Sequence, residues 1–290
     1  MPFLIPRDEA PAAFAECWHS AASHVDQKLK REEKPWASGP FFCWYKIELR
    51  PPFLEHFSFR LGNQLFFVRV EDVEGRLSPP GSRDGLNRVA IGQSGHACIM
   101  PMRQQASRWV PAASGWGLID AKTGNEIDPP GYVTNEQIEM TGWEVHDFAV
   151  DVVCNNLKSQ NIEIIDHQGD PEIYPSIWFS NSGVPSWVLI KAFRYPHDGR
   201  SEPLPSNWLD TCWAAAHMAL KMAPEFAAAR GTRGYFAPVS IARADDPFKG
   251  APKPLLRGHG MFSNFSGLEN CKNDLVILPQ AGGGSANKLQ

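Results

Sequence analysis

The sequence lacks the features that define several large protein classes. No stretch approaches the roughly 20 consecutive apolar residues that a membrane-spanning helix needs. The first residues, MPFLIPRDEAPAAF, do not have the basic region and long apolar run of a secretory signal. There is no run of basic residues, and the formal net charge is −4, so no overall attraction to nucleic acid or anionic lipid is expected. These absences predict a cytoplasmic protein that does not bind membranes.

Motifs for common cofactors and catalytic sites are also missing. The chain has no Walker-type lysine–serine loop, no GxGxxG, no GxSxG and no CxxC pair. The six cysteines are scattered, mostly in apolar surroundings, such as Cys43 in FFCWY and Cys98 in ACIMP. We therefore expect buried, reduced thiols instead of disulfides or a zinc site. No cofactor is expected for a protein of this description.

Apolar and aromatic residues are abundant. The chain has 290 residues, of which 43% are hydrophobic, with 10 tryptophans and 17 phenylalanines. This length suits one large domain or two ordinary ones. Aromatic residues at this density usually fill a core or an interface, and a stacking site for bases or sugars is the alternative. The composition is therefore compatible with a homodimer or a protein partner.

The N-terminal part predicts a helix followed by antiparallel strands. Apolar residues recur at helical spacing over residues 8–32. Gly62-Asn63 is a hairpin turn candidate, and residues 74–97 read as a loop rich in Gly, Pro and Arg. Alternating patterns predict three strands, at residues 41–49, 53–61 and 64–73.

The C-terminal part predicts a second helix and a central hairpin. The helix covers about residues 135–159, with Thr134 and Gln137 at capping-box spacing. NIEIID and two further strands follow, then a helix capped by Ser206 or Asn207. Two final strands are predicted at GYFAPVSIA and NDLVILP. No internal repeat is visible in the sequence.

This order of elements predicts the α+β class, with a mixed, mostly antiparallel sheet and flanking helices. Two α+β regions, 1–132 and 133–280, fit the order, and one continuous domain fits it as well. Residues 281–290, AGGGSANKLQ, read as a disordered or artificial tail.

The stretch DPEIYPSIWFSNSGVPSWVLIK, residues 170–191, has acids before a buried hairpin and a lysine at its end. With the helix before it, this hairpin resembles the core of the PD-(D/E)xK nuclease-like superfamily over about residues 135–195. That family places an acid on the central hairpin and E/Q-x-K on the next strand. Here Leu189 stands two residues before Lys191, where the family has an acid or Gln. The resemblance therefore implies a restriction-endonuclease-like fold more than an active nuclease.

For an active nuclease, the resemblance implies a site of carboxylates and one lysine. Asp170, Glu172 and Lys191 would be catalytic, and the lysine would stabilise the charge on a phosphate. Glu144 and Asp147 of the preceding helix would join Asp170 and Glu172 in binding Mg²⁺ or Mn²⁺. The substrate would then be a nucleic acid or another phosphodiester.

The stretch LLRGHGMFSNFSGLENC, residues 255–271, is a second candidate site. Arg257, His259 and Asn264 lie among glycines and aromatics, and we predict a binding loop there. Because no catalytic set is complete, the first hypothesis is a cytoplasmic binding or regulatory protein of the inhibitor, immunity or adaptor type, with a protein partner. The alternative is a metal-dependent nuclease or phosphodiesterase.

Overall fold

The computed structural model describes residues 10–32, 35–36, 39–50, 52–173, 175–195, 233–245 and 252–270. In this part of the chain the α-helices are α1 (Ala12–Leu29), α2 (Arg83–Gly92) and α3 (Gly142–Ser159), and 3₁₀ turns lie at Lys30–Glu32 and Pro129–Tyr132. The strands are β1 (Pro35–Trp36), β2 (Gly39–Pro40), β3 (Phe42–Lys46), β4 (Phe57–Leu61), β5 (Gln64–Asp72), β6 (His96–Gln105), β7 (Arg108–Pro111), β8 (Leu118–Asp120), β9 (Glu126–Ile127), β10 (Glu163–His167), β11 (Ile177–Asn181), β12 (Val184–Arg194), β13 (Arg233–Arg243), β14 (Met261–Asn264) and β15 (Glu269–Asn270).

Contacts divide the chain into two units. Unit 1 consists of residues 1–5, 145–241 and 263–290, and unit 2 consists of residues 6–144 and 242–262. The boundary expected between residues 132 and 133 lies within unit 2. Both large sheets are mixed, with mostly antiparallel strand pairs. The predicted α+β class is confirmed.

Unit 2 is built as a sheet with a helix on each face. The strand order is β3-β4-β5-β6-β8-β9, and β7 also pairs with β6. β5 and β6 are parallel, and α2 connects them along the chain. Along β5, Phe66 and Val68 belong to the buried cluster that α1 packs into, whereas Leu65 and Phe67 belong to the cluster under α2. Alternating residues of a strand point to opposite faces, so both faces of this strand are core.

The first helix forms where the sequence predicts it. Its apolar positions recur every three or four residues, which places them on one face. The helix starts directly after Pro11, and a 3₁₀ turn follows its last residue. The apolar residues at this spacing are buried: Phe14, Trp18, Ala21, Ala22, Val25 and Leu29. The aromatic residues thus contribute strongly to the core, as expected.

Unit 1 contains the predicted hairpin at the centre of its sheet. The order is β10-β11-β12-β13-β14, with β15 also on β13. Ser182 and Gly183 join β11 to β12 with φ of 54° and 76°, and a turn with two positive φ angles matches the twist of hairpin strands. β12 and β13 are parallel. The predicted helix after Ser206 or Asn207 and the predicted strand NDLVILP lie outside the described residues.

The two units share a topology that the sequence does not reveal. In each, a helix precedes a strand, which pairs antiparallel with the first strand of a tight hairpin. The second hairpin strand then pairs in parallel with a strand that comes later in the chain. The order β3-β4-β5-β6 in unit 2 therefore corresponds to β10-β11-β12-β13 in unit 1.

Two predictions differ from the structure: where the helix α3 begins, and the loop at residues 74–97. α3 begins at Gly142 and not near residue 135, because Thr141 and Glu144 form the capping box: Glu144 N–H donates to Thr141 Oγ1 and Thr141 N–H to Glu144 Oε2. Thr134 bonds instead to Asn63.

The predicted loop at residues 74–97 contains the helix α2. Its first turn is capped by Ser82, whose Oγ accepts a hydrogen bond from the Gly85 N–H.

The outer strands of both large sheets are interrupted. The pairing of β3 shifts between Trp44 and Lys46, and that of β10 shifts between Ile164 and Asp166. At the edge of the unit 1 sheet opposite β10, four residues separate β14 from β15. Pro238, which has no N–H to donate, lies in β13 between the stretch paired with β15 and the end that carries β14.

Candidate functional site

Glu144, a predicted metal ligand, forms a buried ion pair. Its side chain is 3% exposed and accepts two hydrogen bonds of 2.9 Å, from Nε and Nη2 of Arg257. Its Oε2 also accepts from Thr141 at the start of α3. Both carboxylate oxygens are therefore occupied by partners within unit 2.

Asp170, the central acid of the predicted nuclease site, organises its own loop. It is 2% exposed. Its Oδ1 accepts from Glu172 N–H at 2.9 Å, and its carbonyl accepts from Ile173 N–H at 3.2 Å. Gln168 Oε1 accepts from the Asp170 N–H at 2.7 Å. An aspartate that accepts from the backbone two residues later is a turn-forming residue.

The remaining predicted site residues of unit 1 occupy different settings. Asp147 is buried on α3, and its carboxylate packs against the backbone of Gly169. Glu172 is exposed in the loop. Lys191 is half-buried on β12, with its Nζ 5.1 Å from the centroid of the Phe193 ring. The described part of the chain holds no group of three or more His, Cys, Asp or Glu residues that could bind a metal ion.

Unit 1 also buries a histidine beside a serine. His146 Nε2 lies 3.5 Å from Ser176 Oγ, and burial lowers the pKa of His146 to about 4, with Asp147 opposing part of that shift. Ser176 is fully buried, and both its N–H and its carbonyl bond to other backbone groups, those of Val188 and Gln168. A serine nucleophile must be within reach of its substrate, so this pair acts in the packing of the sheet.

The three residues of the predicted binding loop have different surroundings. Arg257 is 4% exposed and is bound by Glu144. His259 is half-buried, with Nδ1 3.4 Å from Nη2 of Arg243. Asn264 is exposed at the end of β14. The cation that the sequence placed in a binding loop is thus part of the interior of unit 2.

A second buried histidine fixes the loop that precedes α2. Val70 N–H donates to His56 Nδ1 at 2.9 Å, and His56 Nε2 lies 3.0 Å from the carbonyl of Pro80. Nδ1 must accept, so the ring is neutral with its hydrogen on Nε2. Burial lowers the pKa of His56 to about 4. Arg69 donates to the carbonyls of Pro79 and Pro80, so imidazole and guanidinium hold the same loop.

Two of the cysteines that the structure describes are made inert by burial. Cys17, Cys43, Cys98 and Cys154 are free cysteines. Burial raises the pKa of Cys17 to about 12 and that of Cys98 further, with nearby carboxylates acting in the same direction. A thiol must ionise to act as a nucleophile. Cys17 and Cys98 are therefore packing residues.

The apolar residues that remain exposed are concentrated in unit 2. In the described ranges, every large hydrophobic side chain that is exposed belongs to this unit. Ile91, on the last turn of α2, is the most exposed of them at 78%. Three residues before it, Arg88 places its guanidinium 6.0 Å from the ring centroid of Trp143. The others are Ile47, Val73, Tyr132 and Phe262.

A comparison with protein families gives one match. Residues 143–271 match the family model described as a domain of unknown function (DUF8840). The match covers less than half of the 290 residues and extends from α3 to just beyond β15. No curated protein and no solved structure matches the chain. The resemblance to the nuclease-like superfamily stays a prediction, and so does the proposed metal site.

No helix in the described residues is both long enough and apolar enough to cross a membrane.

Proposed function

We propose that this chain is a cytoplasmic binding or regulatory protein, of the inhibitor, immunity or adaptor type, which contacts a protein partner through unit 2. The observation that carries the proposal is Ile91, whose side chain is 78% exposed on a helix. Arg88 lies one turn away over Trp143. Aromatic, arginine and aliphatic groups in close proximity are typical of the residues that dominate binding energy at interfaces.

The use of the polar residues supports a binding role over catalysis. Glu144 is paired with Arg257, Asp170 forms a turn, and His56 and His146 are buried in the neutral form. Each of these groups has a structural partner or setting that accounts for it. The free cysteines fit a reducing compartment, which supports the cytoplasmic location.

The proposal is tested by comparing one substitution at two exposed isoleucines. The full chain and its Ile91→Asp variant are each used to capture proteins from a lysate of the source cells, followed by quantitative mass spectrometry. We expect a reproducible set of captured proteins to be lost with Ile91→Asp and weakened with Arg88→Ala. Burying an aspartate in an apolar contact without a partner is costly.

Ile47→Asp is the matched control, because Ile47 is also an exposed isoleucine of unit 2, at 45%. It introduces the same charge at a site outside α2 and is expected to keep the captured set. Equal capture by the full chain and all three variants would contradict the proposed surface.

A further inference from the structure

A short segment from the C-terminal half of the chain completes unit 2. Residues 242–262 belong to unit 2, although the residues on both sides of them belong to unit 1. Within this segment Leu255, Leu256 and Arg257 are buried. Met140 N–H donates to the Leu255 carbonyl at 2.8 Å, and Arg257 N–H donates to the Ile138 carbonyl at 2.9 Å. Residues 255–257, called the latch segment below, thus lie as a short extended piece beside residues 138–140.

The Arg257 side chain caps the end of α2. Its Nη2 donates a hydrogen bond to the carbonyl of Gln93. Its Nη1 donates to the carbonyl of Ser94 at 3.2 Å. Nη1 also lies 3.5 Å from the carbonyl of Asn63. The last carbonyls of a helix have no partner within the helix, and a cation there also interacts favourably with the helix dipole. Arg257 therefore satisfies groups that α2 alone leaves open.

The same guanidinium binds the first turn of α3. Nε and Nη2 form a bidentate pair with the Glu144 carboxylate. Glu144 in turn accepts from the Thr141 N–H and completes the capping box of α3. One side chain thus joins the C-terminal end of α2 to the N-terminal end of α3, and a buried carboxylate left without its cation is strongly unfavourable.

We propose that the latch segment is a conformational latch: the order of the last turn of α2 and of residues 138–144 depends on its docking. The effect is local, because the buried cluster that α1 packs into contains none of the three latch residues. The last turn of α2 and residues 138–144 are therefore ordered only when residues 255–257 are docked. This inference concerns the fold alone and does not rest on the proposed binding function.

Hydrogen–deuterium exchange of the full chain tests the latch. In Arg257→Met, which keeps the bulk but removes the charge and the donors, we expect at least tenfold faster exchange at residues 89–95 and 138–144. Exchange in α1 should stay unchanged. Arg243→Met is the matched control, since Arg243 belongs to the same segment but pairs with the exposed Asp245; it should leave both regions protected.

A double variant tests the charge pairing. Arg257→Met with Glu144→Leu removes both buried charges and is expected to regain part of the protection that Arg257→Met loses. If Arg257→Met does not fold, Arg257→Lys keeps the charge but loses the bidentate geometry, and it should show the same local pattern more weakly. Unchanged exchange at residues 89–95, or equal acceleration of α1 and α2, would overturn the latch.

Discussion

Gly92, the last residue of α2, packs directly against the indole ring of Trp143: a β-carbon at position 92 would overlap the ring. We expect Gly92→Ala to lower the free energy of unfolding by about 1–3 kcal/mol, because the ring or the helix end must move. Denaturation with urea measures this change. Gly142→Ala is the control, since a β-carbon there meets nothing within 4 Å. A loss of equal size in both variants would show that the contact with Trp143 is not the cause.

Acid should destabilise the fold through His56 and His146. Burial lowers the pKa of each to about 4, whereas an unfolded histidine titrates near 6.5. Between these values the unfolded chain binds more protons, so the free energy of unfolding falls as the pH drops from about 6.5 towards 4. The loss is on the order of 3 kcal/mol for each histidine.

Urea denaturation at a series of pH values measures this dependence. His56→Gln should give a flatter curve than the unmodified chain, whatever its stability at neutral pH. His19→Gln, which replaces an exposed histidine of α1, is the control for the substitution itself. If His56→Gln and the unmodified chain lose stability equally between pH 6.5 and 4, burial of His56 is not a cause of the acid sensitivity.

The buried thiols should resist alkylation. Cys17 and Cys98 have raised pKa values because they are buried, whereas Cys43 is only half-buried. In a peptide-resolved iodoacetamide experiment at pH 8, we expect Cys43 to be modified well before Cys17 and Cys98. Both of these should become reactive in urea. Rapid modification of Cys17 in the folded protein would mean that α1 leaves the sheet readily.

Mg²⁺ and Mn²⁺ are expected to leave the melting temperature unchanged. Glu144 is bound by Arg257, and Asp170 holds its own turn, so neither carboxylate is arranged for a cation. Asp170→Ala should lower the melting temperature equally with and without metal, because it removes the turn. A metal-dependent rise that Asp170→Ala abolishes would favour the nuclease hypothesis instead, since a ligand that binds only the folded state stabilises it.

The regular elements of the fold could be read from the sequence where apolar periodicity was strong. α1 and the hairpin joined at Ser182 and Gly183 follow directly from their patterns. α2 could not be read, because Gly85, Gly92 and several polar residues hide a short apolar stripe of Leu86, Val89 and Ala90. Gly92 is required there by the neighbouring Trp143, and that neighbour is distant in sequence.

The roles of the charged residues could not be predicted in the same way. Glu144 and Arg257 are 113 residues apart, and no local pattern relates them. Gly258 and Gly260 follow Arg257, which suggested an open loop, and Glu144 was expected among the metal ligands. One local signal was available: Thr141 stands three residues before Glu144, at the same capping-box spacing as Thr134 and Gln137.

The interrupted outer strands have a consequence for how this protein behaves at high concentration. An unbroken outer strand is a template on which further chains can add and grow into fibres. Among the described residues, the shifts in β3 and β10 and the gap beside Pro238 shorten the templates at these three edges to a few residues. Concentrated solutions should therefore stay clear of fibrillar aggregates.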